Sequence, residues 1–244
     1  MDYIRKPNLP LNPVKLAVCG DYPDVVNALR KCGADVIVPS SDSALPSPVM
    51  RHADMICCHA AQNTLVTCDD ELAEKLAAFG IIALRSDSKP EDKYPDDCIL
   101  NCLSTGELAV GRASSLDKKL RQVLEDKGAR LLDVRQGYAR CSAAVVDERS
   151  FITADKGIAA SLERAGCDVL LISPGGIELP GYDTGFIGGC CGKLSAHRML
   201  FHGNPMTHPD GTEILSFLHA RGVEAQCLHD GLLTDFGGFI PLCE

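Results

Sequence analysis

The sequence predicts an α/β fold in which five strand–strand–helix–strand units form a ring with pseudo-fivefold symmetry, an α/β propeller. Three observations predict it. One helix pattern occurs five times, two short apolar segments precede four of the five helices, and the segment missing before the first helix appears near the C-terminal end. Residues 1–244 are therefore expected to form one domain, in which the N- and C-terminal segments together complete one repeat.

Each predicted helix begins at an aspartate and ends at a glycine, and an apolar strand follows it. Aspartate accepts hydrogen bonds from the free N–H groups at a helix start, and glycine readily adopts the left-handed conformation that ends a helix. Apolar residues recur at spacings of three and four, which predicts one buried face per helix. The helices are predicted over residues 24–33, 70–80, 117–128, 155–166 and 210–222.

Pairs of apolar segments separated by a polar turn precede the last four helices and predict two strands each. The first segments of these pairs are MICCHA (55–60), CILNCL (98–103), CSAAVV (141–146) and GFIGGCC (185–191). The first helix has only KLAVC (15–19) before it, and its missing partner is predicted at 232–241. A C-terminal strand beside the N-terminal one closes a ring. The alternative, an ordinary doubly wound α/β sheet, leaves that segment unexplained.

Composition and charge limit the classes of function. The net charge is −9 and the 24 basic residues form no run, so a nucleic-acid or anionic-membrane surface is not expected. The N-terminal segment lacks the apolar core of a secretory signal, and no apolar run reaches the roughly 20 residues of a membrane helix. We expect a soluble, cytoplasmic protein whose 13 cysteines are mostly reduced and buried. A small-molecule ligand fits this composition, and the oligomeric state is not indicated.

Five ββαβ units closed by a C-terminal strand resemble the pentein fold, the architecture of guanidino-group-modifying enzymes such as arginine deiminases, dimethylargininases and amidinotransferases. The stretches DTGFIGGCCGKL (183–194) and DFGGFIPL (235–242) are also similar to an uncharacterised bacterial family assigned to this fold. The resemblance covers residues 14–242 and implies a central pocket lined by the first strands. Enzymes of the superfamily place a nucleophilic cysteine, a general acid/base histidine and guanidinium-binding carboxylates there.

The catalytic residues of those enzymes have no match here, residue by residue. The Asn–Cys pair expected near the C-terminus is absent from residues 239–244, and residues 140–143 (RCSA) replace the expected His-Leu-Asp segment. Only residues 235–238 and 188–189 resemble the Glu-Gly-Gly-Asp segment. The resemblance therefore implies the fold and the place of a pocket, and candidate residues have to be found in this sequence.

Candidate catalytic residues are polar groups that interrupt the apolar first strands. Cys190 and Cys191 lie among four glycines in DTGFIGGCCG, and glycine within a strand favours close approach of a backbone or a ligand. Each thiol is a candidate nucleophile, with a buried inert thiol as the alternative. His59 is the candidate general acid/base, with a hydrogen-bonded hairpin histidine as the alternative.

Candidate substrate-binding residues are Asp183, Asp235 and Asn63. The two aspartates lie beside glycines and could hold a cationic group, whereas the alternative for all three is a role in a turn. No metal is predicted. A zinc site built from Cys190, Cys191 and two nearby histidines (197 and 202) is disfavoured because adjacent cysteines fit one tetrahedral ion poorly and no CxxC pair occurs. The motifs typical of nucleotide cofactors are absent as well, so no cofactor is predicted.

Two functions agree with these observations. The first is a cysteine-dependent hydrolase or transferase that acts on a small guanidino- or amide-bearing metabolite. The second is a non-catalytic ligand-binding or assembly module on the same fold. The absence of the superfamily's catalytic set leaves open whether the protein is an enzyme.

Overall fold

The structure is a computed structural model that describes residues 1–42 and 44–244. Its strands, in chain order, are β1 (Leu16–Cys19), β2 (Asp35–Ile37), β3 (Cys57–Ala61), β4 (Thr64–Thr67), β5 (Ile82–Arg85), β6 (Leu103–Ser104), β7 (Leu108–Gly111), β8 (Arg130–Asp133), β9 (Ala143–Val145), β10 (Ser150–Thr153), β11 (Asp168–Leu171), β12 (Ile177–Glu178), β13 (Cys191–Ser195), β14 (Arg198–Phe201), β15 (Glu224–Cys227), β16 (Leu233–Thr234) and β17 (Phe239–Cys243). Its α-helices are α1 (Pro23–Lys31), α2 (Ala53–Ile56), α3 (Asp70–Ala77), α4 (Lys118–Asp126), α5 (Ala139–Ser142), α6 (Lys156–Arg164) and α7 (Gly211–His219). Single 3₁₀ turns lie at Gly188–Cys190 and Pro205–Thr207.

Five three-stranded sheets with a common arrangement are present in the described part of the chain. The middle strand of each sheet pairs antiparallel with one neighbour and parallel with the other. In strand order the sheets are β17–β1–β2, β3–β4–β5, β6–β7–β8, β9–β10–β11 and β13–β14–β15. The helices α1, α3, α4, α6 and α7 connect the parallel pairs, and β12 and β16 form a separate parallel pair.

The C-terminal strand pairs with the N-terminal one, as the sequence predicts. β17 lies antiparallel to β1, with Val18 opposite Ile240, and the N–H of Ile4 donates to the carbonyl of Leu242 (3.0 Å). The strand is not the continuous segment predicted at 232–241. That segment forms the short strand β16, a bend and then the start of β17, because Gly237 and Gly238 have positive φ and interrupt the extended backbone. The bend places Asp235 against Gly189 of the 3₁₀ turn.

The helix ends follow the predicted pattern more closely than the helix starts. The five predicted terminal glycines all have positive φ: Gly33, Gly80, Gly128, Gly166 and Gly222. Asp117 and Asp155 cap their helices as predicted, but α3 is capped by Asp69, one residue earlier than predicted. Asp24 lies within the first turn of α1, and the Asp210 side chain accepts from a backbone N–H outside its helix. No helix in the described ranges has the length and apolarity needed to cross a membrane.

The apolar core consists of clusters that join neighbouring sheets. Leu194 and Leu200 of the last sheet pack with Phe239 of the first sheet and with Val25 and Leu29 of α1. Four further clusters join the first sheet to the second, the second to the third, the third to the fourth and the fourth to the fifth. The buried contacts thus connect the sheets in chain order and also connect the last sheet with the first.

The first strands of the sheets begin later than predicted, because short helical turns replace their first residues. α2 precedes β3, α5 precedes β9, and the 3₁₀ turn precedes β13. The predicted strand GFIGGCC is therefore mostly a turn, and only its last cysteine belongs to β13. The turn packs closely on α5: a methyl group at Gly188 would lie 2.5 Å from the carbonyl oxygens of Arg140 and Ala143.

Candidate functional site

A cavity of about 90 Å³ lies beside these helical turns. It is lined by Val49, His52, Met55, Tyr138, Cys141, Leu179, Tyr182, Thr184, Phe186 and Asp235. A single water needs roughly 10–15 Å³ of such space, and a pocket that encloses a whole drug-sized ligand has roughly 300–1,000 Å³. The cavity therefore suits the polar end of a small molecule.

The polar groups at this cavity, and those hydrogen-bonded to them, lie on or beside the short turns; Asp54 and Asn101 bond to Cys141 without lining the cavity themselves. His52 and Asp54 lie at the start of α2, Cys141 lies in α5, and Asn101 lies just before β6. Asp235 follows β16 in the bend that leads to β17. The fold brings together residues that are far apart in the sequence, since Asp54 and Cys141 are separated by 87 positions.

Asp54, Cys141 and Asn101 form a buried hydrogen-bond network. The Cys141 thiol donates to Asp54 Oδ2 (2.8 Å), and Asn101 Nδ2 donates to Cys141 Sγ (3.0 Å) and to the Asp54 carbonyl (3.2 Å). Asn101 Oδ1 accepts from the backbone N–H groups of Arg140 (2.8 Å) and Cys141 (3.3 Å). Asn101 therefore fixes the thiol relative to the carboxylate.

Two side chains in the site have polar atoms that are buried and unpaired. His52 has no exposed surface, and neither of its ring nitrogens has a hydrogen-bond partner among the described residues; the same is true of Asp54 Oδ1. His52 Nδ1 lies 3.8 Å from Asp235 Oδ1, beyond hydrogen-bond distance. A buried polar atom without a partner costs about 1–3 kcal/mol, so these atoms are well placed to bind a ligand.

Asp235 links the two glycine-rich motifs. Its Oδ2 accepts from the Phe186 N–H and its Oδ1 from the Gly237 N–H, both at 2.9 Å. The carboxylate lies directly against Gly189, where any side chain would collide with it. The structure thus brings the segments 183–192 and 235–238 together, and Asp235 lies at the cavity.

Burial and the neighbouring carboxylates favour the protonated form of the Cys141 thiol. Burial raises the pKa of Asp54, although His52 and Arg140 oppose this shift. Burial also raises the pKa of Cys141 well above its usual value, and the charges of Asp54 and Asp235 add to the effect. A cation placed among these groups would stabilise their charged forms.

Aromatic residues surround the outer part of the cavity. The rings of Tyr138 and Phe186 lie 6.1 Å apart, and Tyr182 is 44% exposed. The Tyr138 hydroxyl donates to the buried Asp97 carboxylate, and burial raises the pKa of Tyr138. Aromatic faces of this kind attract cations as well as apolar groups.

Cys190 and Cys191 lie behind the cavity and do not line it. Both thiols donate to the carbonyl of Ile187, at 3.1 and 3.2 Å. Burial raises the pKa of Cys190 well above its usual value and that of Cys191 to about 12. The amine of Lys193, the nearest cationic side chain in the sequence, donates to the backbone carbonyls of Val146 and Ala196. Nucleophilic roles for these two cysteines stay predictions that this geometry does not favour.

The structure does not place three predicted site residues at the cavity: His59, Asn63 and Asp183. His59 is buried on β3, and Asn63 has φ +53° in the turn between β3 and β4, as its alternative interpretation predicts. Asp183 is exposed, although its neighbours Tyr182 and Thr184 line the cavity. The catalytic role of His59 and the substrate-binding roles of Asn63 and Asp183 stay predictions.

His59 is expected to make the stability of the protein depend on pH. Burial lowers its pKa from 6.5 to about 4, so the unfolded state binds a proton that the folded state excludes between these values. The contribution of His59 to the free energy of unfolding is therefore fully present above pH 6.5 and is lost as the pH falls toward 4. Urea unfolding should show a loss of roughly 2–3 kcal/mol between about pH 7 and about pH 4.5 that His59→Gln lacks. Equal losses in both proteins would contradict this assignment.

The residues that the sequence did not reveal are His52, Asp54, Asn101 and Cys141. Each precedes a first strand by at most five residues. Cys141 lies at the start of an apolar run and is indistinguishable there from a buried core thiol. A signal was nevertheless present: polar residues recur just before the first strand of successive units, where a ring would bring them together.

A family model described as a family of unknown function (DUF6873) matches residues 18–240. No curated protein matches the sequence.

Solved structures resemble the whole chain. The inosamine-phosphate amidinotransferase of Streptomyces griseus has a TM-score of 0.57 at 10% identity, over 99% of this chain and 96% of that one. An amidinotransferase of the saxitoxin pathway from Microseira wollei has a TM-score of 0.56 at 9% identity, over 90% of each chain. A dimethylarginine dimethylaminohydrolase has a TM-score of 0.54 at 11% identity, over 89% of this chain and 93% of that one. These proteins have the pentein fold, so the predicted resemblance is confirmed for the fold.

Proposed function

Because the chain belongs to the family of unknown function DUF6873 and has the pentein fold, we propose that it is a hydrolase- or transferase-like enzyme for a small guanidino- or amide-bearing metabolite. The observation that carries this proposal is the group of buried, unpaired polar atoms of His52 and Asp54 next to Cys141 and Asp235. His52, Cys141 and Asp235 line one cavity, and Asp54 is hydrogen-bonded to Cys141. Buried atoms without partners at a cavity are what a bound polar group would satisfy. A location in the cytoplasm stays a prediction.

We further propose that the five sheets close into one ring with pseudo-fivefold symmetry and form a single domain. The core clusters that join successive sheets, including the last with the first, support this arrangement. The pairing of β17 with β1 supports it as well. In such a ring the turns that carry the site residues converge on one end of the axis.

The charge of the cavity suits a cationic group. Asp235 lines the cavity and Asp54 is hydrogen-bonded to the lining residue Cys141, so two carboxylates lie at or next to it. The guanidinium of Arg140 donates to the carbonyls of Gly188 (2.9 Å) and Phe239 (3.3 Å). A guanidinium ion is planar and pairs well with carboxylates. Hydrolysis would replace a C–N bond at its central carbon with a C–O bond from water and release ammonia or an amine. Transfer would break the same C–N bond, form a new one between the central carbon and a second amine, and release the first amine.

We assign the cysteine dependence to Cys141 in place of Cys190 and Cys191. Cys141 lines the cavity and hydrogen-bonds with Asp54, whereas the other two thiols bond to a backbone carbonyl behind it. The function requires the Cys141 sulfur at this position, and His52 is the neighbouring group that can exchange protons or bind a ligand.

A thermal-shift screen tests the ligand class. The panel contains arginine, agmatine and guanidinoacetate as guanidino compounds and glutamine and asparagine as amides. A compound present at about 100 times its Kd should stabilise the protein by about 2.7 kcal/mol, which corresponds to a rise in Tm of roughly 5–10 °C for a chain of this size. Asp54→Asn should remove most of this rise because it removes a carboxylate charge from the site.

Asp126→Asn is the matched control, since Asp126 is exposed at the end of α4 and should leave the shift unchanged. Each hit is then incubated with the protein, and release of ammonia, amine or a transferred amidino product is measured. A hit that is converted supports the enzyme. A hit without conversion supports the second candidate, a non-catalytic binding module, which the absence of the superfamily's catalytic set favours. No shift with any guanidino compound or amide would overturn the proposed ligand class.

A further inference from the structure

One group of side chains at the cavity has the composition of a transition-metal site. His52, Asp54 and Cys141 each offer one donor atom, and these atoms all lie within 4.8 Å of one another. It is the one group of three or more such side chains found in the parts of the chain that the structure describes. In a tetrahedral zinc site with bonds of about 2.0–2.3 Å, donor atoms are separated by roughly 3.3–3.8 Å. The three donors therefore reach this geometry with small side-chain movements.

We propose that His52, Asp54 and Cys141 bind a divalent transition-metal ion of zinc type. This inference rests on the proposed function for the place of the active cavity, but it does not require a guanidino ligand. Imidazole, carboxylate and thiolate are all common zinc ligands. The deprotonated set of Asp54 and Cys141 carries two negative charges, which a divalent ion balances.

The unpaired atoms of the site support metal binding independently of its composition. His52 has two buried ring nitrogens without partners, and Asp54 Oδ1 is buried and unpaired. His52 also lines the cavity. An ion at this position would accept a lone pair from the imidazole and one from the carboxylate. Binding would therefore remove the free-energy cost of leaving these buried polar atoms without partners.

Residues around the three donors have the arrangement typical of a supporting shell. Asp235 Oδ1 lies 3.8 Å from His52 Nδ1 and could accept its hydrogen after a small rotation when Nε2 binds the metal. Asn101 Nδ2 already donates to the Cys141 sulfur at 3.0 Å, an interaction that stabilises a thiolate. Carboxylates behind histidine ligands and hydrogen-bond donors to the other ligands are common features of metal sites in proteins.

The site would keep an open coordination position. Three protein ligands leave a fourth position in a tetrahedral site, which catalytic zinc sites use for water or substrate. The adjacent cavity of about 90 Å³ provides the space for it. Under this proposal Cys141 is required as a ligand and not as the attacking nucleophile, in agreement with its burial.

Cobalt substitution tests the proposal without any substrate. The purified protein is treated with a chelator, dialysed and titrated with Co²⁺ while the near-ultraviolet and visible spectra are recorded. We expect thiolate-to-cobalt charge-transfer absorption and the intense visible bands of tetrahedral Co²⁺, saturating near one equivalent, and loss of the cobalt spectrum when Zn²⁺ is added. Cys141→Ser should abolish the charge-transfer absorption, and His52→Gln should weaken Co²⁺ binding by more than the roughly 10–100-fold typical of an outer-shell change.

Cys58→Ser is the matched control, because Cys58 is a buried thiol that donates to a backbone carbonyl away from the cavity. It should keep the complete cobalt spectrum, and circular dichroism checks that each variant is folded. Absence of charge-transfer absorption in the unmodified protein, or its persistence in folded Cys141→Ser, would overturn the metal site. A cobalt spectrum together with a failed guanidino screen would overturn the ligand class alone. A guanidino hit in chelated protein that gives no cobalt spectrum would overturn the metal alone.

Discussion

Replacing Phe239 with alanine is expected to lower the free energy of unfolding by about 3–5 kcal/mol, the usual cost of removing a buried phenylalanine. Phe239 is completely buried on β17, the strand that pairs with β1. Its ring packs on Gly192, where a side chain would collide with it, and it belongs to the cluster that joins the last sheet to the first. Since proteins have only about 5–15 kcal/mol of stability, this single change should bring the protein close to unfolding.

Urea unfolding followed by far-ultraviolet circular dichroism measures this effect. Phe79→Ala is the matched control, because Phe79 follows α3 and is 39% exposed. It should cost about 1 kcal/mol or less. Similar costs for the two variants would mean that contacts between the terminal strands contribute little to the stability of the fold.

Gly189→Ala is expected to damage the site and the fold together. A methyl group at Gly189 would collide with the carboxylate of Asp235. Asp235 cannot move away without losing its bonds to the N–H groups of Phe186 and Gly237. Overpacking of a buried site costs about 1–3 kcal/mol, and loss of hydrogen bonds to a charged group adds about 1.5–3 kcal/mol for each bond. We expect a loss of at least about 3 kcal/mol in urea unfolding.

The same variant should bind Co²⁺ and any ligand found in the screen more weakly, because Asp235 lies beside His52. Gly157→Ala is the control. Gly157 is exposed near the start of α6, and a methyl group there would approach only the Asp155 side chain, at 3.1 Å. Its stability should change by less than about 1 kcal/mol. A Gly189→Ala protein with normal stability and normal binding would show that Asp235 is not held as described.

The fold could be predicted from the sequence because its signals are local or repetitive. Terminal glycines such as Gly33 and Gly128 mark helix ends through their positive φ, which is a local property of the backbone. The unpaired first strand before α1 predicted the pairing of β17 with β1 because a strand needs a partner. The predicted strand starts were wrong where apolar residues such as Ile56 and Ile187 occur in helical turns. Apolar runs of this length do not distinguish a strand from a buried turn.

The candidate site was predicted only in part, since it depends on contacts between distant segments. Asp235 was found because an acid beside glycines is unusual in a buried strand. Cys141 was missed because its environment is set by Asp54 and Asn101, which are 87 and 40 positions away. Its local sequence is that of a core thiol in an apolar run, whereas the glycines around Cys190 and Cys191 favoured those two thiols as candidates. The burial of His52 without a partner is likewise a property of the folded chain.

The placement of the site on short helical turns has a consequence for how such proteins diverge. The sheets and their apolar clusters maintain stability, whereas α2, α5 and the bend at Asp235 carry the polar groups of the candidate site. Natural variation can therefore exchange donor groups within these few positions while leaving the strand pairing intact. This separation of the strand pairing from the segments that carry polar groups agrees with the likeness of the fold to solved structures at about 10% identity.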